Sequence, residues 1–331
     1  MVGLQRHTLL AHHVRRAVFL LATALAACSS ARTPVETPDR VTYEPGRSYF
    51  GRNGYIEYRA GSLPVILTAP HGGDLRPAEI TDRTAALCGG SATTVTDSNT
   101  RELVLAMRDS MFARYGRYPH VIISHLGRSK LDPNRPAGEG ACGDAEAGMA
   151  WTEFQTFVDS AEHTVLRQSG RGWYMDVHGH GHAVQRLELG YLLSGADLDG
   201  TDERLNTIAA LEDSSSIRTM SRSSALTFAQ LLRGPTSLGA LYVTHGFPAV
   251  PTEGAPGPAG APYFSGGYNT ERHGCSVAAR GADTAICGLQ IETNFTGVRD
   301  NANSRARFAG VTAQVLGAYL KLHWGLDLAT N

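Results

Sequence analysis

The chain has 331 residues and a formal net charge of −1, and 42% of its residues are hydrophobic. So balanced a charge supplies no basic field, which excludes nucleic acid as an expected partner. The hydrophobic share is that of an ordinary globular protein, and the length suffices for one large domain with a sizeable core.

The first 27 residues read as a signal peptide. Arg6, Arg15 and Arg16 precede an apolar stretch over 17–27 that is too short to cross a bilayer. It ends Leu25-Ala26-Ala27-Cys28, which looks like a bacterial lipobox. Cleavage before Cys28 and lipidation of its thiol are therefore expected, tethering a soluble domain to a membrane of the cell envelope. Residues 28–45, rich in Pro, Thr and charge, read as a flexible tether, and 46–331 as one domain. Setting Cys28 aside leaves Cys88, Cys142, Cys275 and Cys287. An even number in an exported chain suggests two disulfides, for which three pairings exist. Cys275–Cys287 brackets a short loop and is favoured, leaving Cys88–Cys142. No C-x-x-C spacing occurs, which weighs against a cysteine metal site.

Nearly continuous apolar runs at 63–69, 120–124, 173–177, 189–194 and 285–293 predict strands covered on both faces. Helical patterns fall between and after them, at 99–115, 145–168, 203–211, 225–232, 237–244 and 304–323. The first presents Leu103, Val104, Met107, Met111 and Phe112 on one side, with Asn99 and Glu102 spaced as a capping box. This alternation predicts an α/β fold, a three-layer sandwich around a central, mostly parallel mixed sheet. Active sites in such folds gather beyond the carboxyl ends of strands. His71, Asn134 with Arg135, His178 and Glu292 all fall there. Residues 253–267 are too rich in Gly and Pro for a helix or an inner strand. The aromatic residues Tyr263, Phe264 and Tyr268 make that stretch a binding loop rather than a linker.

The residue types at these ends are those of a catalytic metal site, which takes three protein ligands and keeps one open position. His71 and Asp74 sit three apart in a Gly-Gly turn, and His178 ends another strand. Asp74 is the expected carboxylate ligand, with Glu79 and Asp97 in competition; Asp97 serves equally as a helix cap. Asp176 is placed to orient a ligand histidine through its ring N–H. His180 and His182 follow His178 at spacing two but lack the H-x-H-x-D-H pattern of a binuclear site, and read as wall residues. Glu292 shares a strand face with Gln290. An ionised carboxylate in that place needs a cationic or hydrogen-bonding partner, and general base is its expected role. Arg135 suits a substrate carboxylate. Arg128 and Arg272 suit either substrate binding or polarisation of a scissile carbonyl. No G-x-S-x-G sequence marks a serine nucleophile.

Taken together, Pro70 to Gly73, Asn134-Arg135-Pro136, Asp176-Val177-His178, the stretch from Ser265 to Gly274 and Gln290-Ile291-Glu292 resemble the N-formylglutamate amidohydrolase family. The resemblance spans about 64–294. It implies a fold like that of zinc carboxypeptidases, one zinc ion, and hydrolysis of an amide linked to an acidic amino acid. By position it implies His71 and His178 as metal ligands, Glu292 as base, and Asn134, Arg135 and Arg272 at the substrate. Tyr268 lies within the matching stretch and joins them. The expected export turns the substrate from formylglutamate toward a peptide, a γ-glutamyl polymer or another acyl-amino acid outside the cytoplasm. A carboxylate-binding surface lipoprotein on the same fold is the competing expectation.

Overall fold

Runs of Val, Ile and Leu too apolar for an exposed strand form the middle of one eight-stranded sheet in a computed structural model that describes residues 42–279 and 284–330. The strands are β1 (Ser48–Phe50), β2 (Ile56–Arg59), β3 (Val65–Ala69), β4 (His120–Ser124), β5 (Gly172–Gly179), β6 (Leu187–Gly190), β7 (Ala249–Val250) and β8 (Ile286–Thr293). Their order is β1-β2-β4-β3-β5-β8-β6-β7. The four central strands, β4, β3, β5 and β8, run parallel, while β2 and β6 join them antiparallel. This is the expected mixed α/β architecture.

Alternation along β5 sorts its side chains between two layers. Trp173, Met175 and Val177 belong to the core shared with helices Thr100–Tyr115 and Ala302–Trp324. Tyr174 belongs to the opposite core, under helix Ala145–Ser169. Asp176 and His178 continue the Tyr174 face toward the strand's carboxyl end. Register then puts Gln290 beside Asp176 and Glu292 beside His178. Thr68 stands on Asp176's other side.

Both disulfides form in the favoured pairing, Cys88–Cys142 and Cys275–Cys287. They place the chain's maturation in an oxidising compartment. No helix among the described residues is long and apolar enough to cross a membrane. The expected signal peptide, Cys28 and most of the tether lie outside the described residues.

Three local expectations fail for identifiable reasons. The strand expected over 189–194 is β6, Leu187–Gly190; the backbone turns at Leu192, whose φ is 67°, and Ser194 caps the helix Gly195–Leu198. The helix expected over 203–211 is two helices, Asp202–Thr207 and Ala209–Ser214, broken at Ile208 by an extended ψ of 92°. The Asn99 capping box is absent. Asn99 is left-handed, with φ 65°, and its amide donates to the Arg299 carbonyl at 2.9 Å.

His120, at the start of β4, is buried without a charged partner. Its Nδ1 accepts from the Gly61 N–H at 3.3 Å and lies 2.8 Å from the Tyr58 hydroxyl. Burial pushes its pKa down to about 3. The unfolded chain protonates this ring below about pH 6.5 while the folded chain does not, so stability is lost as pH falls through that window. Between pH 7 and 5 His120 is expected to cost about 2 kcal/mol of unfolding free energy. Urea titrations of the wild type and His120→Gln check this: the variant's stability should vary less over that range, and an equal slope in both would show that His120 titrates normally.

Candidate metal centre

The turn after β3 brings His71 back over the sheet edge. It needs glycine at both following positions: a Cβ on Gly72 would lie 2.5 Å from the Arg101 nitrogen, and one on Gly73 2.3 Å from the His125 carbonyl carbon. The loop that follows, up to helix Thr100–Tyr115, returns to the same place, since the Asp97 N–H donates to the His71 carbonyl at 3.0 Å. Asp97 thereby arrives beside the two histidines at the ends of β3 and β5.

Three atoms converge there. His71 Nδ1 lies 3.1 Å from His178 Nδ1 and 3.4 Å from Asp97 Oδ2, and His178 Nδ1 lies 3.1 Å from the same oxygen. All three side chains are buried. The opposite edge of each ring meets a carboxylate, His71 Nε2 on Asp132 Oδ1 at 2.7 Å and His178 Nε2 on Asp176 Oδ2 at 2.9 Å. A carboxylate only accepts, so each Nε2 carries a hydrogen, and each ring in its neutral form, the form that binds a metal, turns a bare Nδ1 lone pair inward. Two lone pairs and a carboxylate oxygen within 3.4 Å repel one another unless a cation or a proton lies among them. Zinc bonds of about 2.0–2.1 Å at tetrahedral angles separate neighbouring ligand atoms by about 3.3–3.4 Å. The trio therefore fits three corners of a zinc tetrahedron, with both histidines held from behind in the usual carboxylate–imidazole manner.

Without a cation the ionisation pattern favours a proton among these atoms. Burial pushes Asp97 up, but the His71 and His178 imidazoles outweigh it and hold the carboxyl well below the usual range. Burial likewise opposes the charge on Asp132, and His71, Arg128 and Arg83 overcome it. For His178, burial disfavours the imidazolium, yet Asp176, Asp97 and Glu292 raise its pKa well above the ordinary value. Glu292 goes the other way. Burial, with the Asp97 and Glu188 charges adding, raises it to about 8 against the pull of His178. Its Oε1 accepts from Gln290 Nε2 at 2.8 Å, and its Oε2 has no hydrogen-bond partner among the described residues.

The other candidates are distributed unevenly. Arg128 joins the centre: its Nε donates to Asp132 Oδ2 at 2.9 Å, and its Nη1 is 3.7 Å from Asp97 Oδ1. Asn134 is buried beside it, accepting from the Asn269 N–H at 2.8 Å and donating to Gln290 at 3.3 Å. Arg135 is exposed, and its carbonyl accepts from Trp151 Nε1, whose ring is 6.1 Å from that of Tyr268. Asp74, the carboxylate chosen from the sequence, is not brought to the histidines. It is exposed and paired with Arg101 at 3.2 Å, because the Gly-Gly turn points residue 74 outward; Asp97 takes its place. Glu79 is exposed and accepts from the Tyr55 hydroxyl. Arg272 pairs with Asp159 on helix Ala145–Ser169, its Nη2 donating at 3.2 Å.

His180 and His182 group with Glu188, and this cluster satisfies itself. His180 Nε2 donates to the Arg186 carbonyl at 2.8 Å, and its Nδ1 accepts from the His182 N–H at 3.1 Å. His182 Nδ1 donates to Glu188 at 2.9 Å, and the other Glu188 oxygen accepts from the Phe264 N–H. Asp132 opens the Asp-Pro-Asn-Arg-Pro run, but nothing in the sequence marks it as the partner of a histidine 61 residues away. Thr68 and Asn269, likewise unmarked in the sequence, both donate to Asp176.

No protein-family model matches the sequence, and no curated protein matches it. Among the solved structures similar to it are two of bacterial proteins. One is an N-formylglutamate amidohydrolase from Ralstonia eutropha, at 14% identity and a TM-score of 0.44, covering 82% of this chain and 98% of that one. The other is a gene product of Agrobacterium tumefaciens, at 13% identity and a TM-score of 0.43, covering 81% of this chain and 95% of that one.

Proposed function

We propose that this chain is a zinc-dependent amide hydrolase. Its substrates are N-acyl or γ-glutamyl amino acids, or peptides, that carry an acidic group. The observation that supports this best is the convergence of His71 Nδ1, His178 Nδ1 and Asp97 Oδ2 within 3.4 Å, with both rings fixed by carboxylates behind them. When bound, zinc acidifies water and polarises a carbonyl oxygen. The rest falls to the chain's own side chains.

Glu292 is the base. Without a cation it is held up at about 8; a dication at the neighbouring histidine favours its ionised form, which is the form that accepts a proton. It takes the proton of the attacking water and returns it to the leaving nitrogen. Arg128 carries the positive charge nearest the trio's carboxylate and stabilises negative charge developing on the carbonyl oxygen. Arg135, exposed beside the Trp151–Tyr268 pair, grips the substrate carboxylate in a bidentate fork. Asn134 holds the wall between Gln290 and Asn269. The enzyme works outside the cytoplasm, anchored through a lipid on Cys28.

Elemental analysis of the purified mature domain, followed by a screen of N-acyl and γ-glutamyl amides with and without chelator, tests this. About one zinc per chain and chelator-sensitive release of an amine are the expected results. A chain that takes up no zinc, or hydrolyses amides equally well in chelator, would sink the proposal.

A further inference from the structure

We infer that Arg299 is the positioning residue of the centre: one buried guanidinium ties together the three segments that carry Asp97, His178 and Glu292. The inference rests on reading the trio as a zinc site. Arg299 Nη1 donates to the Ser98 carbonyl at 2.5 Å, Nη2 to the His180 carbonyl at 3.1 Å and Nε to the Thr293 carbonyl at 3.1 Å. Ser98 follows Asp97, Thr293 follows Glu292, and His180 is two residues beyond His178. One planar group thus spans the loop after β3, the end of β5 and the end of β8. Its own carbonyl accepts from Asn99 Nδ2 at 2.9 Å, which closes the loop side again.

Neither carboxylate bonds to this cation, yet Asp97 and Glu292 are the acids whose charges act on it. It therefore balances part of a buried negative cluster while leaving its oxygens free for a metal and a proton. Gly179, between His178 and His180, fits against it: a Cβ there would lie 2.2 Å from Arg299 Cζ. The Gly179 N–H in turn donates to Asp97 Oδ2 at 3.2 Å. A lysine ammonium is a compact charge without the planar fork and does not reach three diverging carbonyls.

The test is zinc affinity by chelator competition on the full mature chain, with unfolding midpoints measured alongside. Arg299→Lys and Arg299→Ala should each bind zinc about 10–100-fold more weakly, the range seen when outer partners of metal ligands are lost. Millimolar guanidinium ion, far below denaturing concentrations, should recover most of the loss in Arg299→Ala and leave the wild type and Arg299→Lys unchanged. Gly179→Ala should weaken zinc binding in the wild type and add little to Arg299→Ala, a non-additivity expected of groups in contact. A merely structural arginine would lower the midpoint without rescue of affinity. Folded Arg299 variants with wild-type affinity would overturn the inference, as would a folded Arg299→Ala that guanidinium does not rescue. Should Arg299→Ala not fold, unchanged affinity in Gly179→Ala would overturn it. A wild type that binds no zinc would overturn the metal reading itself, and this inference with it.

Discussion

Glu292→Gln is expected to lower turnover by about 10²–10⁴-fold while leaving zinc content and the unfolding midpoint close to wild type. Glutamine keeps the length and hydrogen-bonding capacity of glutamate, so the contact with Gln290 survives. What is lost is the proton acceptor on the strand partner of His178. Stability should not fall. The carboxyl is buried, and Asp97 and Glu188 already push its pKa up to about 8, so its ionised form is disfavoured in the folded chain. Steady-state kinetics and calorimetry on the zinc-loaded variant check this. Unchanged turnover would remove Glu292 from the mechanism. A binding lipoprotein, by contrast, would show no turnover in either form and unaltered ligand affinity.

Asp97→Asn is expected to weaken zinc binding by more than about 100-fold, beyond the range for partners that only support a ligand. Asp74→Asn should change it little. The two acids differ in everything that matters to a cation. Asp97 is buried, with an oxygen 3.1 Å and 3.4 Å from the two inward Nδ1 atoms, and the imidazoles already favour its ionised form. Asp74 is exposed and paired with Arg101. An exposed pair of that kind contributes at most about 1 kcal/mol, so its removal perturbs neither fold nor site. Chelator competition on both variants decides the matter. Equal losses would mean that the carboxylate ligand changes on binding; a loss only in Asp74→Asn would reverse the assignment.

How much of the centre was legible in the sequence depends on the distance over which each residue is placed. Asp176 and His178 are two apart on one strand, so the period of a strand already sets them on one face, and the inward Nδ1 follows from their contact. Glu292 was legible as the one acidic residue in a buried core strand, on the same face as Gln290. Asp97 was legible only as one of three competing carboxylates, with Asp74 and Glu79, because nothing in the loop between β3 and helix Thr100–Tyr115 says which of them returns to His71; a backbone bond from Asp97 to the His71 carbonyl accompanies its return. Asp132 was hidden in the same way, its partner being 61 residues away. The spacing that resembles a family motif carries no information about which way the helical side chain of Arg272 turns. Here it turns to Asp159.

Composition, apolar periodicity and short spacing determined the class of fold and the strands that form its centre, and favoured one of three pairings of the cysteines. These depend on local burial and short spacing, which are properties of neighbouring residues. Only the tertiary structure decided which carboxylate meets the histidines, which arginines face the centre, and that Arg299 binds its three segments together. The contacts of His71 with Asp132, of His178 with Asp97 and of Arg299 with Ser98 join residues 61, 81 and 201 positions apart, and their geometry is set by sheet order and loop closure rather than by any local preference of the chain.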